Sequence, residues 1–169
     1  MEKREIIAVV GMCGAGKSVV SDFLAKEGYQ FLRFGQITID EIKKRGLELN
    51  ERNEKQVREE FRQKYRMAAF AFLNQGKIDS LLINGNVVID GLYSWSEYKI
   101  LKDKYETDLR VVAVVAPPSI RYSRLEERTL IDEKMRNRPF TREQGKARDY
   151  AEIENIEKGG PIAMADIII

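Results

Sequence analysis

Gly11-Met12-Cys13-Gly14-Ala15-Gly16-Lys17-Ser18 is the stretch from which the rest of this chain can be read. It matches G-x-x-x-x-G-K-[ST], a loop whose backbone wraps a phosphate group. Glycines allow positive φ and leave no Cβ in the way of an anion. Successive backbone N–H groups can then turn inward, toward α- and β-phosphates. Lys17 carries a compact charge able to reach the β/γ oxygens, and the Ser18 hydroxyl is a candidate Mg²⁺ ligand. The set expected against a nucleotide is Gly11, Cys13, Gly14, Ala15, Gly16, Lys17, Ser18 and Val19. The flanks agree with the motif. Glu5-Ile-Ile-Ala-Val-Val10 is a short β-branched apolar run, the pattern of a buried parallel strand. Residues 19–26 read as a helix, so the phosphates would sit on a helix N-terminus. A glycine-rich turn matching by chance would have neither flank, and the expected ligand is a nucleoside triphosphate.

Working outward, the 169 residues make a single domain by size, and 43% hydrophobic with 33% charged residues suits a soluble globular chain. No apolar stretch approaches the roughly 18 residues of a membrane span, so no membrane partner is expected. The N-terminus leads directly into the first strand without a signal-peptide pattern, and the single cysteine has no partner for an internal disulfide. Both point to a reducing cytoplasm. Histidine is absent, which excludes imidazole acid–base and metal chemistry and leaves carboxylates, Lys, Arg and a metal ion. A net charge of +2 is too small for a nucleic-acid binder, so no nucleic-acid partner is expected. Residues 120–148 nevertheless hold nine basic side chains against five acidic ones. Such a local excess beside a phosphate loop fits a polyphosphate ligand.

The remaining pattern alternates strands with helices. Strands are expected at 5–10, 29–34, 86–90, 109–116 and 165–169. Helices are expected at 17–27, 40–45, 51–83 (broken near Gly76), 96–105, from Pro118 onward, and from a Thr141-x-x-Gln144 capping box to about Lys158. Strands separated by helices need parallel crossovers, which predicts a three-layer α/β/α sandwich around a five-stranded parallel sheet. A doubly wound domain usually continues beyond such a fifth strand with a loop and a closing helix. A minimal protein and a missing C-terminal piece both fit, and nothing here sets an oligomeric state.

Val87-Val-Ile-Asp90-Gly91 carries the second chemical signal. A carboxylate at the carboxyl end of an apolar strand lies where ligands bind in open α/β sheets. If this strand neighbours the first, Asp90 would face Ser18 across a metal site and hold Mg²⁺ directly or through water; the alternative is an Asp-Gly turn with no ligand. The third signal is arginine. Arg121, Arg124 and Arg128 are spaced to share one helix face, Arg136 and Arg138 lie in a Pro-containing loop, and Arg142 and Arg148 follow. Guanidinium forks stabilise a migrating phosphoryl group, and a basic loop over it excludes water. Arg128, Arg136 and Arg138 are read as such contacts and as mobile until phosphate binds, against the alternative of a solvated face. Lys134 and Lys146 are read as solvated. Tyr93, Trp95 and Tyr98 are open to stacking on a ligand or packing on the sheet.

Together, the G-x-x-G-x-G-K-S loop, Asp90-Gly91, a P-x-x-x-R-x-x-R helix and the basic segment resemble the nucleoside monophosphate kinase group of P-loop NTPases. The pattern is most similar to dephospho-CoA kinase-like and adenylate-kinase-related proteins, and 44–50, Arg148-Asp149 and 162–166 extend the match over nearly the whole chain. The resemblance implies one P-loop kinase domain over 1–169, a substrate-binding insertion at about 35–75 and a lid at about 128–142. It implies ATP with Mg²⁺, and catalytic roles for Lys17, Asp90, Arg128, Arg136 and Arg138. The reaction implied is transfer of a γ-phosphoryl group to a nucleotide-like acceptor. The alternative is a nucleoside-triphosphate switch with slow hydrolysis. The chain departs from the group at Gly35-Gln36, where many members have Gly-Asp, and at Tyr93, where an arginine is common.

Overall fold

The computed structural model describes residues 4–128 and 140–169. Five short strands form one parallel sheet: β1 (Ile6–Val10), β2 (Gln30–Arg33), β3 (Val87–Asp90), β4 (Leu109–Ala113) and β5 (Ile167–Ile168), in the order β2-β3-β1-β4-β5. β1 therefore lies between β3 and β4, with Val9 opposite Asp90 and Val10 opposite Ala113. On the far side, Arg33 ends β2 opposite the same Asp90.

Period-two alternation divides β1 between two cores. Ile6, Ala8 and Val10 face one cluster, with Leu32, Ile89, Phe70, Ile78 and Leu101. Val9 and Val88 face the other, against Val20 and Leu24 of α1 (Lys17–Lys26). Each large side chain fully removed from water contributes about 1.5–3 kcal/mol. Burial on both faces is what makes these strands read as continuous apolar runs. Helices α4 (Ala69–Asn84) and α5 (Trp95–Tyr105) cover the first face. The three-layer sandwich expected from the sequence is the fold.

Between β2 and β3 the chain forms α2 (Gln36–Lys44), α3 (Glu51–Tyr65), a 3₁₀ turn at Arg66–Ala68, and α4. The expected break near Gly76 is corrected. Gly76 lies inside α4, and the interruption comes at Arg66, whose φ of 59° ends α3. Asn74 ties α4 down: its Nδ2 donates to the Phe34 carbonyl just after β2 and to the Phe70 carbonyl within α4. α2 also starts earlier than expected, at Gln36. β4 stops at Ala113 because Pro117 and Pro118 follow closely, and Pro118 opens α6 (Pro118–Glu126).

The Thr141/Gln144 capping box forms as expected at the start of α7 (Arg142–Ile156), with Thr141 Oγ1 accepting from Gln144 N at 3.2 Å and Gln144 Oε1 accepting from Thr141 N at 2.9 Å. α7 ends where Glu157 turns left-handed at φ 55°, and a short helix not foreseen, α8 (Gly159–Ala163), follows. Among the described residues no helix is long and apolar enough to cross a membrane.

Candidate active site at the carboxyl ends of the strands

Residues 11–16 leave β1 and turn into the N-terminus of α1, with Gly11, Gly14 and Gly16 at φ 142°, 80° and 109°. Two of these glycines are required by close approach as well as by conformation. A Cβ on Gly11 would stand 2.3 Å from the Val114 carbonyl oxygen, and one on Gly14 would stand 2.6 Å from the Arg121 carbonyl oxygen. Both neighbours are backbone and cannot swing aside. Ala15 N donates to Met12 O at 3.2 Å, closing the loop's turn, and Lys17 Nζ donates to the same carbonyl at 3.0 Å. The Lys17 ammonium is thus folded over its own loop.

The loop opens on a cavity of about 510 Å³, lined on this side by Cys13, Gly14, Gly16, Lys17, Ser18 and Asp90. Because β3 pairs with β1, the condition set for Asp90 is met: its carboxylate ends the neighbouring strand and lines the same cavity as Ser18. Gly11, Ala15 and Val19 are not among the residues that line this cavity: Ala15 is buried in the second core, and Val19 is 73% exposed. Arg128 lines the cavity. Arg136 and Arg138, and all of the expected lid except Arg128 and residues 140–142, lie outside the described residues.

The arginine helix does something its spacing did not announce. Arg121, 5% exposed, donates through Nε to Ala116 O at 3.0 Å and through Nη1 to Cys13 O at 3.1 Å, and its Nη2 pairs with Asp149 Oδ2 at 2.6 Å. Arg124 Nη1 donates to Ala15 O at 3.1 Å and Gly14 O at 3.4 Å. Both hold backbone carbonyls of the phosphate loop, at Cys13, Gly14 and Ala15. Their neighbour Tyr122 donates its hydroxyl to Asp149 at 2.9 Å, joining α6 to α7.

The aromatic trio divides. Trp95 stacks on Tyr98 with ring centroids 5.0 Å apart at 11°, and both pack on the core. Tyr93 lines the cavity, and burial, followed by the nearby Asp90 charge, pushes its hydroxyl up to about 12. Glu97 caps α5, accepting from the backbone N–H groups of Tyr93 at 3.1 Å and Ser94 at 3.0 Å. Burial raises its carboxyl to about 7 despite those bonds.

Several lining residues were not singled out from the sequence. On the wall made by α2 and α3, the Thr38 hydroxyl oxygen and Arg62 Nε are buried with no hydrogen-bond partner among the described residues. The Arg62 guanidinium carbon lies 5.8 Å from the Phe70 ring centroid. Beside it Arg58 bridges Glu51 at 2.8 Å and Glu54 at 3.2 Å. Only Arg33 had a usable signal, since it ends β2 as Asp90 ends β3. On the α7 wall, Glu152 accepts from Arg148 Nε at 2.9 Å and from Lys158 Nζ at 2.5 Å. Burial favours the neutral Glu152 acid, but the Lys158 and Arg148 charges outweigh it and hold the carboxyl down at about 2. Lys17 is lowered to about 8, first by burial and then by the Lys158 charge, against the opposing pull of Cys13, Glu152 and Asp90.

Known proteins resemble this chain in sequence and in fold. The AAA domain family matches residues 7–157. A UPF0200 protein of Thermococcus gammatolerans is 37% identical over 163 residues, covering 95% of this chain and 83% of its own. One from Thermococcus kodakarensis is 36% identical over 166 residues, covering 97% and 86%. Among solved structures, shikimate kinase from Bacteroides thetaiotaomicron superposes with a TM-score of 0.57 at 15% identity, covering 98% of this chain and 85% of that one. A gluconokinase from Sinorhizobium meliloti gives 0.52 at 17% identity, covering 89% and 75%. At those identities the structural likeness shows a shared P-loop kinase-like fold and nothing narrower. The chain belongs to the UPF0200 family, and its residues 7–157 belong to the AAA domain family.

Proposed function

We propose that this protein is an ATP-dependent small-molecule kinase that moves a γ-phosphoryl group to a nucleotide-like acceptor, a nucleoside monophosphate or dephospho-CoA. One observation carries the reading. The cavity that begins at the phosphate loop does not end there, but runs on to a second wall where Thr38 and Arg62 hold buried polar atoms without partners. A nucleotide switch needs only the first wall. A buried donor or acceptor left unpaired costs about 1–3 kcal/mol, so a ligand that satisfies both atoms is favoured there. This second wall falls in the 35–75 insertion, which is assigned here to the acceptor. The resemblance to dephospho-CoA kinase-like and adenylate-kinase-related proteins supports the acceptor class.

In this reading Cys13, Gly14, Gly16, Lys17 and Ser18, which line the cavity, form the donor phosphate site, and Gly11, Ala15 and Val19 contribute backbone rather than a side chain. Lys17 leaves Met12 O to contact the β/γ oxygens, and the α1 N-terminus adds its partial positive charge. The residues present suit Mg²⁺. Ser18 and Asp90 offer hard oxygen donors on one cavity wall, and among the described residues no group of three carboxylate, Cys or His ligands forms a closed cage. That suits an ion completed by substrate phosphates and water. Such an ion, when bound, neutralises charge on the β- and γ-phosphates. Arg128, together with Arg136 and Arg138 from the lid segment, stabilises the charge that spreads over the phosphoryl group in flight. The bond from γ-phosphorus to the bridging oxygen breaks, its electron pair stays with ADP, and an acceptor oxygen forms the new bond. The phosphate oxygen of a nucleoside monophosphate is already ionised and needs no base, whereas the hydroxyl of dephospho-CoA releases its proton to water as the new bond forms.

The test is a panel of AMP, CMP, UMP, GMP, deoxynucleotides and dephospho-CoA with ATP and Mg²⁺, read as ADP release. Acceptor-dependent release with a phosphorylated product is expected. Slow release indifferent to every acceptor would replace the kinase by the switch.

A further inference from the structure

Lys158 is 2% exposed, and a lysine ammonium is almost never that deep without a partner. Its position depends on the left-handed Glu157, which stops α7 and turns the chain so that Lys158 reaches back onto the helix it follows. There its Nζ meets Glu152 Oε2 at 2.5 Å and lies 5.1 Å from the Tyr93 ring centroid. Among the described residues Glu152 is its one hydrogen-bond acceptor. An ammonium has three N–H donors, so two remain uncommitted. The same Glu152 also holds Arg148 at 2.9 Å, so one carboxylate is shared by two cations on a wall that faces Lys17 across the cavity. Such a wall is incompletely neutralised and suits an incoming polyanion.

We propose that Lys158 is a second lysine of the phosphoryl-transfer site. Fixed by Glu152, it donates hydrogen bonds to a peripheral oxygen of the terminal phosphoryl group, on the side away from the phosphate loop. Glu152 is the positioning residue, and Tyr93 is the floor that keeps the ammonium from swinging out. Lys158 keeps its proton throughout. The bond to the bridging oxygen breaks with its electron pair on the diphosphate, and the new bond forms to the acceptor oxygen, a hydroxyl acceptor releasing its proton to water. Lys17 and Lys158 then hold the migrating group from two sides, one anchored in the loop and one in the α7–α8 junction. This rests on the kinase reading above, because it requires a terminal phosphoryl group at this point in the cavity.

The experiment compares Mg²⁺-dependent binding of ADP with that of the β,γ-imido analogue of ATP, by calorimetry, in the parent and in Lys158→Met. The variant is expected to keep the ADP affinity within about twofold and to lose about tenfold or more for the analogue, the loss of one charge-assisted hydrogen bond. With an acceptor from the panel, kcat should fall about 10²- to 10³-fold with little change in the KM for the acceptor. Glu152→Gln should show the same selectivity more weakly. If Lys158→Met does not fold, Lys158→Met/Glu152→Gln replaces it, since it removes both charges of the buried pair together and leaves only Arg148, whose side chain is 41% exposed, without its carboxylate. Equal loss for both nucleotides, or no loss for either, overturns the role and makes the pair structural. A parent that binds neither nucleotide would overturn the kinase reading and this one with it.

Discussion

Arg121→Met is the substitution whose consequences follow most directly from the structure. The guanidinium is buried and carries three connections: to Ala116 O, to Cys13 O, and to the Asp149 carboxylate at 2.6 Å. Methionine fills much of the volume but restores none of them. Asp149 would keep only the Tyr122 hydroxyl on Oδ2, while its Oδ1 already lacks a partner. Breaking a buried ion pair by removing one member costs about 3–5 kcal/mol, because the remaining charge is stranded. Both groups are almost fully buried, so solvent screening does not reduce this much. For a chain of this size about 4 kcal/mol corresponds to a fall in Tm of roughly 10–15 °C. The freed Cys13 carbonyl adds a functional effect, as the phosphate loop loses one of the hydrogen bonds that fix its backbone. Weakening of ADP binding by about tenfold is expected, as for one lost charge-assisted bond.

Thermal melts followed by circular dichroism, with ADP titrations below the transition, measure both effects. The neutral double variant Arg121→Met/Asp149→Leu should recover a large part of the stability while leaving the ADP defect in place, because it removes the stranded charge but not the loosened loop. A single variant melting within about 2 °C of the parent would refute the reasoning, and so would a double variant no more stable than the single.

Lys17→Ala should leave the fold intact and reduce turnover by about two to four decades, as for a lost preorganised charge contact; near-parental kinetics would remove Lys17 from the transfer step. Asp90→Asn should weaken the Mg²⁺ dependence of turnover with metal-free nucleotide binding largely kept, and an unchanged Mg²⁺ titration would return Asp90-Gly91 to a plain turn. Glu97 gives a pH signature. Its carboxyl is raised to about 7 in the fold against about 4.3 when unfolded, so the folded chain holds a proton that the unfolded chain has lost between those values. Its contribution is complete below about pH 4.3 and is lost as pH rises through 7, at most roughly 4 kcal/mol. Glu97→Gln should flatten that decline in melts at pH 5, 6 and 7, and parallel curves for parent and variant would dismiss it.

The sequence alone determined the parts set by local pattern. Short β-branched runs between helical segments called for a parallel sandwich, Gly11 to Ser18 marked the loop, and Thr141 with Gln144 marked a helix start. Each is a property of neighbouring residues, since strand period, positive φ and capping are settled within a few positions of the chain. Asp90 was legible only as a conditional, because its meaning depended on which strand lies beside β1. Strand order is a long-range choice: β1 takes β3 and β4 as its neighbours although both lie tens of residues away along the chain.

What remained to the tertiary structure was the direction of each charged side chain. Arg121 and Arg124 have the spacing of a ligand-facing stripe, yet they turn onto the carbonyls behind the loop, because α6 packs against that loop so closely that only a glycine fits at position 14. Thr38, Arg62 and Lys158 look ordinary in the sequence. Their burial arises from the back-fold at Arg66 and the left-handed turn at Glu157, two single-residue bends that no periodicity signals. A charge gains its role from the dielectric and the partners around it, and those are assembled from segments more than a hundred residues apart.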